Sequence, residues 1–170
     1  MKIAIVIHSE TGNTQQVAEA LQRQLQEEGH EVELLRLATE GEKPAPGSPV
    51  TLQTIPDVSA VDGLVIGAPV WAFALSPVMR AWLEQMKAAP GLPAAVFLTH
   101  ALPMRWLGAR RGLNQAVSSC EQKSLHVIDT GLVWCGRRPH AGQLQKLSDR
   151  LQQQFRSHES RSAATGTTGK

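Results

Sequence analysis

The chain of 170 residues has no tyrosine, only three phenylalanines and four tryptophans, and only two cysteines. Cys120 and Cys135 are too few for a disulfide scaffold and lack metal-ligand spacing. His126 and His140 are isolated, so no metal site is readable, and Asp57, Asp62 and Asp129 show no pairing suited to acid–base work. No apolar run approaches the ~18 residues needed to span a bilayer. The first apolar stretch, residues 3–7, is too short for a signal peptide. Together these absences predict a reduced, cytoplasmic chain. Lys+Arg 17 against Asp+Glu 15 excludes a strongly basic nucleic-acid binder and an acidic tail protein alike.

The near-neutral total conceals an asymmetry. Residues 1–84 carry eleven acids and five bases; residues 85–170 carry four acids and twelve bases. Between Gln85 and Cys120 there is no carboxylate, while Lys87, Arg105, Arg110 and Arg111 lie there. Such a stretch is either a solvated face or a positive lobe turned toward an anion.

What is present is an alternation of short apolar runs and helical periods. Residues 3–7, 32–37, 61–67, 94–99 and 125–133 read as strands, the first apolar throughout, as expected for a strand buried on both faces. Val17, Ala18, Leu21 and Leu25 form one helical stripe, with Gly29 at its end. Pro44, Pro46, Pro49 and Pro56, with Gly41 and Gly47, keep residues 40–56 from forming a long helix. Ser76-Pro77 is a cap followed by proline at the first helical position, before Val78, Met79, Trp82, Leu83 and Met86. A helix over 106–119 is weakened by Gly108 and Gly112, and a last one aligns Leu144, Leu147, Leu151 and Phe155. Residues 157–170, rich in Ser, Thr and Gly, are expected to be a disordered tail after a domain of residues 1–156. Five strands alternating with helices predict an α/β parallel sheet covered on both faces. Ligands of such sheets sit beyond the carboxyl ends of the strands, so the loops after strands one, three and four are the places to search.

The first of these loops is His8-Ser9-Glu10-Thr11-Gly12-Asn13-Thr14, running directly into a helix. Its hydroxyls, its glycine and the unpaired N–H groups of a helix N-terminus suit a phosphate. It lacks Lys and Arg, which points to one terminal phosphate held by hydrogen bonds. No Gly-Lys-Ser/Thr follows, so it is not a P-loop, and the G-x-G-x-x-G dinucleotide pattern is absent. No cysteine is present for a phosphatase of similar topology. At these residues the chain resembles the flavodoxin-like family, whose S/T-x-T-G-x-T loop binds the phosphate of FMN. The resemblance implies a three-layer sandwich with strand order 2-1-3-4-5. It also implies that Ser9, Thr11, Gly12, Asn13 and Thr14 wrap the phosphate, with Glu10 contributing its backbone N–H.

After strand three, Gly67-Ala68-Pro69-Val70-Trp71-Ala72-Phe73 places two aromatics beside the phosphate loop. They suit a planar ring or serve to cover the next helix. The stretch looks like the Gly-x-Pro-Val-Trp segment that borders the isoalloxazine in the same family. On that likeness Pro69, Val70, Trp71, Ala72 and Phe73 line the flavin, with Trp71 stacking on it. The loop after strand four, which includes Thr99, His100, Ala101, Leu102, Arg105 and Trp106, departs from the family pattern. Electron-transfer flavodoxins tend to place Gly, acidic residues and a Tyr there, and this loop is basic. The backbone of residues 99–102 is expected at the flavin's pyrimidine edge, with His100 either bonding a flavin carbonyl or facing solvent.

The resemblance implies an FMN-binding redox protein that transfers electrons through a non-covalent flavin. Two alternatives stay open: an FMN-dependent NAD(P)H:quinone-type reductase, and a flavin-free interaction scaffold. The partner is expected to be a redox protein or a small electron donor or acceptor, anionic in character; neither nucleic acid nor a membrane span is expected.

Overall fold

The computed structural model describes residues 1–41, 48–101, 108–136 and 141–166. Five parallel strands, β1 (Lys2–Ile7), β2 (Glu31–Arg36), β3 (Gly63–Trp71), β5 (Pro93–His100) and β6 (His126–Trp134), form a sheet of order β2-β1-β3-β5-β6. A two-residue strand, β4 (Ala74–Leu75), pairs antiparallel with the end of β3. Counted without β4, the order is the expected 2-1-3-4-5, and the flavodoxin-like α/β arrangement holds.

The helices α1 (Asn13–Glu27) and α4 (Ala141–Gly166) cover one face, and α2 (Pro77–Gln85) and α3 (Ala109–Gln122) the other. The sequence alternation within β1 explains the two cores. Ile3, Ile5 and Ile7 meet Val17, Leu21, Leu25 and Phe155, whereas Ala4 and Val6 meet the side carrying Met79, Trp82 and Cys120. Full burial of each such large side chain contributes about 1.5–3 kcal/mol.

Small residues set the distances between layers. A β-carbon on Gly67 would fall 2.3 Å from Phe97 Cζ, and one on Gly131 would fall 2.8 Å from Leu147 Cδ1. Gly67 therefore lets the Phe97 ring lie flat on β3, and Gly131 lets α4 sit directly on β6. The two glycines expected to weaken α3 have the same use. A β-carbon on Gly108 would lie 2.5 Å from Phe73 Cα, and one on Gly112 would lie 3.0 Å from the Ala74 carbonyl carbon. They let the β3–β4 hairpin rest on α3, where Gln115 Oε1 also accepts the Leu75 N–H at 3.1 Å.

Two expectations are corrected. Strand three does not stop at Gly67 but continues to Trp71, because the chain turns back through Ala72 (φ 45°) and Phe73 (φ 63°) to pair Trp71 with Ala74. Consecutive left-handed residues make a tight hairpin turn, yet neither residue signals it. The segment from 157 also does not begin a tail, since α4 continues to Gly166. Phe155 anchors it on Gly63, Ser157 Oγ donates to the Gln153 carbonyl at 2.8 Å, and Glu159 lies 3.7 Å from the N-terminal ammonium. Once a helix is docked, each further residue adds a backbone bond without a new nucleation cost.

Candidate functional site

The expected ligand-binding end gathers around one cavity of about 200 Å³. Glu10, Thr11 and Asn13 line it from the loop after β1, Pro69, Val70 and Trp71 from β3, and Thr99, His100 and Ala101 from the end of β5. Three segments distant in sequence therefore meet because β1, β3 and β5 are adjacent and parallel.

The loop between β1 and α1 is built to leave donors free. Gly12 takes φ 84° and caps α1 with no side-chain bond. Ser9, 4% exposed, lies beneath the loop, where its Oγ accepts the Gln15 N–H at 3.2 Å. The N–H groups of Asn13 and Thr14 have no acceptor within the helix, at its positive end. Asn13 Nδ2 donates to Thr11 Oγ1 at 3.3 Å. Thr14 is turned inward, with Oγ1 2.8 Å from Thr99 Oγ1, so its hydroxyl joins α1 to β5.

A cation the sequence reading did not single out stands behind the loop. Arg36, the last residue of β2, donates through Nη2 to the Ser9 carbonyl at 2.7 Å and through Nη1 to Gln15 Oε1 at 3.0 Å. The loop thus has a guanidinium after all, supplied by the neighbouring strand. A lone arginine closing a strand beside β1 was the available signal.

His8 links the loop to α2. Ser76 Oγ accepts the Met79 N–H at 3.2 Å and lies 3.0 Å from His8 Nδ1. On the other side of the ring, His8 Nε2 lies 3.9 Å from Glu10 Oε1.

The structure divides the two aromatics. Trp71 lines the cavity, whereas Phe73, at the turn beyond Ala72, is 57% exposed and packs on Gly108. Ala72 and Phe73 are not among the residues lining the cavity. His100 is buried, and its carbonyl accepts the Cys135 N–H at 2.8 Å. Cys135, which sequence reasoning passed over, lines the cavity next to it; burial pushes its thiol up to about 11. The signal was its position just past the strand beside β5, a loop outside the three that were searched. Leu102, Arg105, Trp106 and His140 lie outside the described residues. Among the described residues no group of three or more metal-ligating side chains forms.

The family whose profile is described as NADPH-dependent FMN reductase matches residues 1–130. The chain belongs to that family. It is an FMN-binding, flavodoxin-like redox protein. Among solved structures, oxidised flavodoxin 1 from Bacillus cereus superposes with a TM-score of 0.67 at 18% identity, covering 93% of this chain and 99% of that one. A putative flavoprotein from Bacteroides eggerthii DSM 20697 gives 0.65 at 14% identity, over 87% and 96%. A flavoprotein from Lactobacillus acidophilus NCFM, solved in complex with FMN, gives 0.54 at 21% identity, over 77% and 92%. At these identities the likeness concerns the fold. No curated protein matches the chain.

The residues of this FMN reductase family member fit the cofactor on their own chemistry. Uncapped amides at the start of α1 suit a phosphate, and the aromatic and apolar wall of Pro69, Val70 and Trp71 suits a planar ring.

Proposed function

We propose that this chain is an FMN-dependent reductase that accepts electrons from a reduced pyridine nucleotide and passes them to a small oxidised acceptor. The observation that carries this reading is the charge of the stretch between β5 and the end of α3. The stretch that follows β5 and opens α3 has Arg110 and Arg111 in the first turn and no carboxylate before Glu121. A pyridine nucleotide is polyanionic, so a stretch of this sign attracts it. The family's description, with its NADPH dependence, supports the same donor.

In this reading the amides of residues 11–14 and the Thr11 hydroxyl hold the FMN phosphate, while Ser9, Thr14 and Arg36 hold the loop in shape. Trp71 stacks on the isoalloxazine, and the backbone of residues 99–101 meets its pyrimidine edge. Bound FMN would supply the redox chemistry, and the protein positions it and tunes its energy. The two free, buried thiols of Cys120 and Cys135 accord with a reducing, cytoplasmic setting, and no described helix is long and apolar enough to cross a membrane.

A second reading, a carrier exchanging electrons with protein partners, draws on the flavodoxin that covers 93% of this chain. Adding NADPH anaerobically to the FMN-loaded protein separates the two. Bleaching of the flavin bands by the nucleotide alone supports the reductase, and bleaching that requires a separate protein reductase supports the carrier.

A further inference from the structure

The largest opening described lies outside the cofactor cavity, along the free edge of β6. It is a cleft of about 650 Å³ whose floor is residues 130–133 and whose walls come from α3 and α4. Arg110 contributes from the first turn of α3, and Gln143, Lys146 and Arg150 contribute from α4. Three cations line it and no carboxylate does.

Those cations are not equivalent. Arg150 is anchored: Nε lies 3.1 Å from Asp129 Oδ2 and Nη2 donates to the Thr130 carbonyl at 3.0 Å. Arg110 and Lys146 are exposed and form no ion pair among the described residues. Arg110 also stands at the positive end of its own helix, where a cation is locally unfavourable. Functional or strained sites are where such local rules are expected to break.

The shape narrows the occupant. An added peptide strand would need the outward backbone groups of β6. Arg150 already covers the Thr130 carbonyl, and Gln143 Oε1 accepts the Trp134 N–H at 3.0 Å. A concave volume within the roughly 300–1,000 Å³ range of small-molecule sites fits a compact ligand better than a protein face. Val133 lines the cleft and Cys135, just past the end of β6, lines the cofactor cavity, so the two openings have lining residues two positions apart in the chain. A ligand that spans both openings would have one end at the flavin and the other in the cleft.

We propose that the β6-edge cleft binds the 2′-phosphate of NADPH, with Lys146 and Arg110 as its charge partners. This rests on the reading of the chain as a pyridine-nucleotide-dependent reductase, and assigns the part of the molecule that separates NADPH from NADH. The dianionic monoester matches two unpaired cations beside an anchored third.

Calorimetric titration of the FMN-loaded protein with 2′,5′-ADP, 5′-AMP, inorganic phosphate and poly-L-glutamate tests it. The expected result is 2′,5′-ADP binding at least tenfold tighter than 5′-AMP. Combining Arg110→Gln with Lys146→Gln removes that preference, whereas Arg80→Gln, in the groove between α2 and α3, retains it. Equal affinity for the two nucleotides, or a preference that survives the double substitution, overturns the proposal. Inorganic phosphate competing as well as 2′,5′-ADP overturns it in favour of a simple phosphate site, and displacement by poly-L-glutamate at equal charge overturns it in favour of an acidic protein surface. The parent reading fails separately, if NADPH does not bleach the flavin; the 2′,5′-ADP titration still decides the cleft.

Discussion

Thr14 Oγ1 and Thr99 Oγ1 lie 2.8 Å apart, joining residues 85 positions distant in the chain across the base of the cofactor cavity. Thr14 is 2% exposed and Thr99 3%, so little water reaches the two hydroxyls. The contact fixes the first turn of α1 against the end of β5, and with it the spacing between the phosphate loop and the wall that holds His100. Removing one partner leaves the other buried and unsatisfied, which costs about 1–3 kcal/mol. Thr14→Val and Thr99→Val are each expected to lower stability in urea denaturation, and the double variant by less than their sum. Strict additivity would mean that the two hydroxyls do not interact.

Arg36 is expected to act on FMN through its phosphate. Its guanidinium organises the Ser9 carbonyl and the Gln15 side chain and is the one described cation hydrogen-bonded to the loop. Arg36→Met is expected to weaken FMN binding by about 1–2 kcal/mol, with Arg36→Lys retaining part of the affinity. Riboflavin, lacking the phosphate, should respond little. Equal losses for both ligands in fluorescence titrations would assign Arg36 to the general stability of β2 instead.

The fold was legible because burial on both sides leaves an apolar run such as residues 3–7 few alternatives, and because Ser76-Pro77 starts α2 by a local bond to the Met79 N–H. What was hidden has long-range causes. Gly108 and Gly112 are poor helix residues, and only the hairpin lying on them explains their presence. The turn at Ala72 and Phe73 contains no residue that favours positive φ, so nothing local announces β4. In the site, the meeting of the segments after β1 and at the end of β3 could be read from sequence, whereas Arg36 and Cys135 enter through strand adjacency, which no single segment encodes. The Thr14 hydroxyl is turned toward Thr99, a long-range contact of the same kind.

Trp71 lines the cavity, and Phe73 does not. A ring stacked on the flavin quenches its fluorescence, so Trp71→Ala should restore part of the emission and weaken FMN by roughly 1 kcal/mol. Phe73→Ala should change neither by a comparable amount. Emission that stays quenched in Trp71→Ala would give Trp71 a covering role only.

The two thiols set an alkaline limit. Burial, with a smaller contribution from Glu121, raises Cys120 from its ordinary 9.0 to about 12, and burial raises Cys135 to about 11. The unfolded chain loses these protons near pH 9, before the folded one does. Their contribution to stability is therefore complete below pH 9 and declines as pH rises from 9 toward 11 and 12. Urea midpoints should fall across that window, and less steeply in a Cys120→Ala, Cys135→Ala variant. At pH 7.5 the native protein should resist iodoacetamide; rapid alkylation of Cys135 there would show a thiol far more ionised than its burial allows.

The central claim is that FMN is held by its phosphate on the uncapped amides at the start of α1, with its ring against Trp71. Titrating the apoprotein with FMN and with riboflavin, side by side, tests it most directly. The account predicts FMN affinity at least a hundredfold higher, with the difference shrinking as inorganic phosphate is added, because the free anion competes for the same amides. Equal affinity for the two flavins, unaffected by phosphate, would contradict it.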